Sequence, residues 1–240
     1  MSEIDLSKGI ITGCDQALEW LLPWWIERVR ENNPDAHISF HDYGISEGMK
    51  TFLRMENKVD SFAEVDTNIR AKDKWFLKPR SMLSSPFKKT LWLDVDAEVT
   101  GNIMDIFDKT IPDKLSMVQD MPWSKQFNTV MYNSGVVCFE GKPTILKRWA
   151  KAVDTNPQRG DQETLHAIMD PLQQVVSIEP LDNKYNVVRL QLDPKSPHHV
   201  KVPDERVRHW TGHKGKQIIR QHLNLVKTRH MGDGYEIQDS

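Results

Sequence analysis

Two carboxylates, Asp94 and Asp96, close the apolar run Leu91-Trp92-Leu93, and the polar alternation continues into Glu98. Successive side chains of a strand point to opposite faces, so the pair is expected to share one face while Val95 packs behind. Two carboxylates together at the carboxyl end of a buried strand suit a hard divalent cation, and in open α/β sheets ligands bind at that end. A strand running out into a solvated acidic turn would show the same residues. The far end of the chain carries the opposite charge. From Lys184 to Arg229 there are eleven lysines and arginines against three acids, so a phosphate-binding side can face a metal-binding side. No Cys/His cluster has zinc spacing, which argues against a structural zinc site.

The elements that must position these groups are readable from hydrophobic periodicity. Ser7 to Thr12 reads as a buried strand leading into Gly13-Cys14-Asp15-Gln16. From Ala17 to Asn32 apolar residues recur at helical spacing, and Asn32-Asn33-Pro34-Asp35 ends the helix. His37 to His41 alternates as a second strand, and Ser46 to Asp73 reads as variable, partly helical surface. A helix over Asp73 to Leu83 leads to the Asp94 strand. Beyond it, strands are expected at Ser116 to Gln119, Val130 to Phe139 and Val175 to Ile178, with helices at Thr144 to Asp154 and Asp161 to Met169. Alternating strands and helices without repeats or a Pro/Gly-rich linker predict one α/β domain over 1–240, with a largely parallel sheet.

Several classes are disfavoured. The longest apolar stretch, Ala17 to Ile26, is broken by Glu19 and Pro23 and is too short to span a bilayer. The start, Met1 to Leu6, lacks the basic region and apolar core of a signal peptide. The two cysteines, Cys14 and Cys138, lie in or beside strands, as reduced core thiols of a cytoplasmic protein would. Gly212-His-Lys-Gly-Lys216 lacks the spacing of a Walker A loop.

Taken in order, the pieces resemble the glycosyltransferases of the GT-A fold, especially the glycogenin and lipopolysaccharide galactosyltransferase family. The resemblance rests on Gly13-Cys14-Asp15 after the first strand, Glu31-Asn32-Asn33-Pro34, Lys78-Pro79-Arg80, and the Asp94-Val95-Asp96 core. It continues through Tyr132-Asn133-Ser134-Gly135-Val136, Gly160-Asp161-Gln162-Glu163 and His209-Trp210-Thr211-Gly212. It covers Ile10 to about Gly215 and is patchy between Asp42 and Lys72. It implies a Rossmann-like nucleotide-diphospho-sugar transferase fold, with one mixed, mainly parallel sheet flanked by helices.

The implied activity is transfer of a hexose, from UDP-glucose or UDP-galactose, to an acceptor hydroxyl with retention of configuration. The metal ligands would be Asp94, Asp96 and His209, and an imidazole among oxygen ligands favours Mn²⁺ over Mg²⁺. Thr12, Asp15, Lys78, Arg80, Asp94, Val95, Asn133, Ser134 and Gly212 would contact the donor. Asp161 would orient the donor sugar and Gln162 would sit beside the anomeric carbon. The family's phosphate-binding lysine falls here on Gly215, flanked by Lys214 and Lys216, of which Lys216 is favoured; the Pro-Trp that follows in the family is missing. The basic segment 184–230 would then close over the donor diphosphate. Simpler roles stand beside these. Asp15 and Asp161 could be helix N-caps, Lys78 a solvated helix residue, Asn133-Ser134 a structural turn, and His209 a strand histidine packed beside Trp210. The acceptor is expected to be a saccharide. A nucleic-acid acceptor is the alternative, and its binding would weaken steeply with salt. A non-catalytic nucleic-acid or carbohydrate-binding module is the remaining reading.

Overall fold

Short runs rich in Ile, Val, Leu and Phe make the central strands, as expected where both faces of a sheet are covered. The computed structural model describes residues 6–55, 58–68 and 73–223, and the backbone alone of 225–227 and 235–237. β1 (Lys8–Cys14) leads through a 3-10 turn at Glu19–Leu21 into α1 (Leu22–Asn32), followed by β2 (Ile38–Asp42), α2 (Glu47–Leu53) and β3 (Ser61–Glu64). A second 3-10 turn, Lys74–Leu77, runs into α3 (Lys78–Leu83), then β4 (Lys89–Leu93) and β5 (Ala97–Val99). Next come β6 (Leu115–Gln119), α4 (Met121–Phe127), β7 (Tyr132–Glu140), α5 (Thr144–Thr155), α6 (Asp161–Ala167), α7 (Pro171–Ser177) and β8 (Ile178–Leu181). The described chain continues through β9 (Val187–Val188), α8 (Arg189–Leu192), β10 (Val207–His209) and α9 (Gly212–His222).

The main sheet has the order β3-β2-β1-β4-β7-β6-β8. β7 runs antiparallel to both its neighbours, and the other pairings are parallel. Helix α1 covers one face through Leu22, Trp25, Ile26 and Val29, the one-face spacing of an amphipathic helix, against Ile10, Phe40, Leu91 and Val136. Trp149, Leu146 and Val153 of α5 cover the other face against Trp92, Val137 and Phe139. Burying each such side chain contributes about 1.5–3 kcal/mol, so these two layers hold the sheet that carries the site. Cys14 and Cys138 are buried free thiols in this core. A small second sheet, β5-β10-β9, stands beside the end of β4.

Three local expectations need correction. Val175 to Ser177 is helical and the strand begins only at Ile178. Asp170 explains this: its carboxylate accepts from the Gln173 N–H, the Gln173 side chain accepts from the Asp170 N–H, and Pro171 occupies the first helical position. Asp94 and Asp96 do not lie on a strand. β4 ends at Leu93 and the chain turns, the Ala97 N–H donating to the Asp94 carbonyl at 2.9 Å. The first helix begins not at Ala17 but as a 3-10 turn at Glu19, the α-helix proper starting at Leu22 with Pro23 in its first turn.

Candidate active site

The turn at Asp94 to Asp96 is fixed from two sides by strand pairing. On one side the Asp94 N–H donates to the Gly135 carbonyl at 2.8 Å, extending the β4–β7 ladder by a residue. On the other, β5 leaves the turn and pairs antiparallel with β10, setting Ala97 opposite His209, and the Trp210 N–H donates to the Asp96 carbonyl at 3.0 Å. The small sheet therefore brings His209 to the carboxylates across more than a hundred residues of sequence. A methyl built on Gly135 would overlap the His209 ring, so only glycine lets the imidazole lie against β7.

Ligand atoms of Asp94, Asp96 and His209 all lie within 4.8 Å of one another. Ligands about 2.0–2.2 Å from one ion stand roughly 3–4.3 Å apart, so the donor set fits a divalent cation. His209 Nε2 lies 3.2 Å from Asp96 Oδ1 and 3.7 Å from Asp94 Oδ2. Two lysines flank the carboxylates. Lys78 Nζ, buried at the start of α3, is 2.9 Å from Asp94 Oδ1 and 3.0 Å from Asp161 Oδ2. Lys216 Nζ, on α9, is 2.6 Å from Asp96 Oδ2. Burial pulls the Lys78 pKa down, but Asp161 and Asp94 outweigh it and hold the ammonium above its ordinary value. Burial raises the Asp96 pKa, while Lys216 and His209 outweigh that and hold it well below the carboxylate range. Both groups stay charged through neutral pH.

Two clefts, of about 360 and 440 Å³, share Lys78, Asp94, Asp96, Asp161 and Lys216 as a common wall. Asp120, Trp123, Gln162, Leu190 and Gly212 line the first. Gly13, Asp15, Tyr43, Trp75 and Val95 line the second. Asp161 is not an N-cap, since α6 is capped by Gly160; its Oδ2 accepts from Ser134 Oγ at 2.9 Å besides pairing with Lys78. Gln162 Oε1 accepts from the Ser134 N–H at 3.1 Å, and its Nε2 donates to Asp120 Oδ2 at 3.3 Å. Asp15 accepts from the Ala17 N–H in a local turn rather than capping a helix. Gly212 begins α9 at φ +73°, a left-handed conformation that suits glycine.

Not every expected residue reaches a cleft. The Thr12 hydroxyl is buried and donates to the Leu93 carbonyl at 2.7 Å, tying β1 to β4. Arg80 turns to Asp154 of α5, at 2.7 Å. Lys214 is exposed on α9 and lines neither cleft. Asn133 does border the first cleft, but its carboxamide is buried and bonded to Asp120, Gly135 and Asn186, with His209 Nδ1 3.1 Å from its oxygen. Four further residues escaped sequence reasoning: Asp120, Trp123, Trp75 and Asn186. Asp120 carried a signal, since like Asp94 it ends an apolar strand; Asn186 carried none.

No protein-family model matches the sequence, and no curated protein matches it. Solved structures do match. The galactosyltransferase LgtC, in complex with donor and acceptor sugar analogs, is similar at TM-score 0.59 and 18% identity, over 85% of this chain and 87% of that one. Mouse xyloside xylosyltransferase 1 is similar at TM-score 0.56 and 12% identity, over 85% and 97%. The glycosyltransferase GlyE of Streptococcus pneumoniae TIGR4 is similar at TM-score 0.62 and 17% identity, over 86% of this chain and 56% of that longer one. At such identities the likeness is one of architecture, and the architecture is the GT-A glycosyltransferase fold, resembling that of LgtC-like galactosyltransferases.

Proposed function

We propose that this chain is a metal-dependent glycosyltransferase that moves a hexose from UDP-glucose or UDP-galactose to a saccharide hydroxyl, with retention. The observation that carries the reading is the meeting of Asp94, Asp96 and His209 between Lys78 and Lys216, on the wall common to two clefts. The LgtC structure, in complex with donor and acceptor sugar analogs, supports a fold that takes both a donor and an acceptor. Here the nucleoside would take the cleft of Asp15, Val95 and Trp75, and the two sugars that of Trp123 and Gln162.

Asp94, Asp96 and His209 would hold Mn²⁺, or Mg²⁺, which when bound neutralises charge on the diphosphate as a Lewis acid. Lys216 sits where it can leave Asp96 and meet the β-phosphate, and Gly212, at the N-terminus of α9, borders the same cleft. Of the basic segment 184–230, whose residues 224 and 228–230 lie outside the described residues, Gly212 and Lys216 would close over the diphosphate. Asp161, with Ser134 beside it, would take donor-sugar hydroxyls, and Gln162 would lie against the anomeric carbon. As the bond from that carbon to the phosphate oxygen breaks, its electron pair leaves with UDP. The acceptor oxygen bonds to the carbon from the same face, and its proton passes to the departing phosphate. An NMR time course showing inverted product would overturn the retaining assignment. Pairing within the basic segment favours a saccharide over a nucleic-acid acceptor: Arg206 and Lys184 face Asp204, and Arg208 faces Glu205. Among the described residues no helix is long and apolar enough to cross a membrane.

Thermal melting with UDP tests the reading. At about 100 times its dissociation constant a ligand adds roughly 2.7 kcal/mol, an easily measured shift. The shift is expected with Mn²⁺ and not with EDTA. No shift from UDP with any metal would remove the basis of the reading.

A further inference from the structure

A buried polar chain runs up to His209 through residues to which the proposed transfer gives no part. Asp120, Asn133, Asn186 and His209 are each at most 5% exposed. Its hydrogen-bond directions can be worked out from one end. The Asp120 carboxylate can only accept, and it receives the Trp123 N–H at 3.2 Å as the N-cap of α4. Asn133 must therefore turn its NH₂ toward Asp120, Nδ2 to Oδ2 at 2.9 Å. That leaves Asn133 Oδ1 facing the other way, where it accepts from the Gly135 N–H at 3.0 Å and from Asn186 Nδ2 at 2.8 Å. Asn186, having given its NH₂ to Asn133, presents its own Oδ1 to His209. His209 Nδ1 thus meets two amide oxygens, Asn186 Oδ1 at 3.0 Å and Asn133 Oδ1 at 3.1 Å. Reversing either amide would set oxygen against oxygen or NH₂ against N–H in a buried site, each unmade bond costing about 1–3 kcal/mol.

We infer that Asp120, Asn133 and Asn186 are positioning residues that fix the hydrogen of His209 on Nδ1 and present Nε2 as the atom available to a metal. The inference rests on the proposed metal site: without an ion Nε2 faces Asp96 Oδ1 at 3.2 Å, an acceptor, so the metal-free ring can carry a hydrogen there too, while the hydrogen on Nδ1 is fixed by the amide chain alone. Partners behind a histidine ligand typically set its orientation and tautomer, and their loss costs about 10–100-fold in metal affinity. Asn186 thereby acquires a role that no motif suggested, and Asn133 one different from contact with the donor sugar.

The wild-type chain decides the first half by ¹⁵N NMR of histidine-labelled protein at about pH 8, above the ordinary imidazole range. The His209 resonance is assigned by its loss in His209→Gln. A proton on Nδ1 is expected, and a ring whose only proton sits on Nε2 overturns the inference. Mn²⁺ titration followed by electron paramagnetic resonance decides the second half. Asn186→Leu is expected to bind Mn²⁺ about 10–100-fold more weakly and to lose part of the hydrogen on Nδ1. Asn186→Asp keeps an acceptor for the Nδ1 hydrogen and is expected to retain it, at a cost in stability from the carboxylate oxygen that then faces Asn133 Oδ1. Wild-type affinity and tautomer in a folded Asn186→Leu would overturn the positioning role. If the wild type itself fails to bind any divalent ion, the proposed function fails, and the tautomer still stands or falls on the NMR result.

Discussion

Lys78 and Lys216 both hold a carboxylate of the central cluster, yet they sit in different environments. Lys78 is 5% exposed and lies between Asp94 and Asp161, whereas the Lys216 side chain is 23% exposed. Removing the ammonium from the buried group strands two carboxylates, so Lys78→Met should destabilise by about 3–5 kcal/mol in urea unfolding. Lys216→Met should cost less stability and act mainly on ligands, shrinking the metal-dependent UDP shift. Equal stability losses in the two variants would contradict this division. Gly135→Ala tests the packing behind the proposed metal site. Its methyl must displace the His209 ring, so the UDP shift should vanish while stability falls by the roughly 1–3 kcal/mol typical of overpacking. An unchanged UDP shift in that variant would show that the ring position is not critical. At this scale residue type pointed to the acidic pair and to Asp161-Gln162, which line one cleft, whereas the packing of Gly135 against the His209 ring was not legible. Direction was not legible, because a basic residue near a motif can turn either way. Lys78 turns to the cluster, Arg80 two residues on turns to Asp154, and Lys214 stays in solvent.

Elements were readable wherever an apolar run was long enough to show its period. β1, β2 and β7 fall within two residues of their expected bounds, and α5 within one, whereas β4 stops at Leu93, short of the acidic pair it was expected to carry. The small sheet was not readable, since β5, β9 and β10 have two or three residues each and pair across the chain. Its contribution matters all the same, because the Ala97–His209 register is what brings His209 to Asp94 and Asp96. Helix α7 shows how local capping overrides composition. Gln174-Val175-Val176 has strand-like residues, yet Val175 and Val176 are 70% and 66% exposed on a helix that buries none of its residues. With so little packing, the cap should matter more than usual. Asp170→Ala is expected to lower stability by about 1 kcal/mol and to raise hydrogen exchange over Gln173 to Ser177. Unaltered exchange there would mean that tertiary contacts, not the capping box, hold the helix.

Across the whole molecule, buried titratable groups set a stability window in pH. His41, on β2, is fully buried and its Nε2 has no hydrogen-bond partner among the described residues. Burial lowers its pKa from 6.5 to about 4, so the folded chain keeps it neutral where the unfolded chain would protonate it. Between those values the unfolded state binds one more proton, and stability falls with acidification by about 1.4 kcal/mol per pH unit, up to roughly 3 kcal/mol in all. His166, also lowered chiefly by burial, acts in the same direction. Asp96, held low by Lys216 and His209, adds its loss only below the ordinary carboxylate range. At the other extreme, the raised Lys78 contributes stability that is fully present below the ordinary lysine value and lost only above it. The first flank to fail should therefore be the acid one, beginning near neutrality, well before the carboxylates titrate. His41→Leu isolates the cause, because leucine fills the site without a proton to gain. Urea unfolding at about pH 7.5, 6 and 4.5 should show a shallower decline in the variant than in the wild type. Parallel slopes would shift the acid sensitivity to other groups, with His166 as the next to replace.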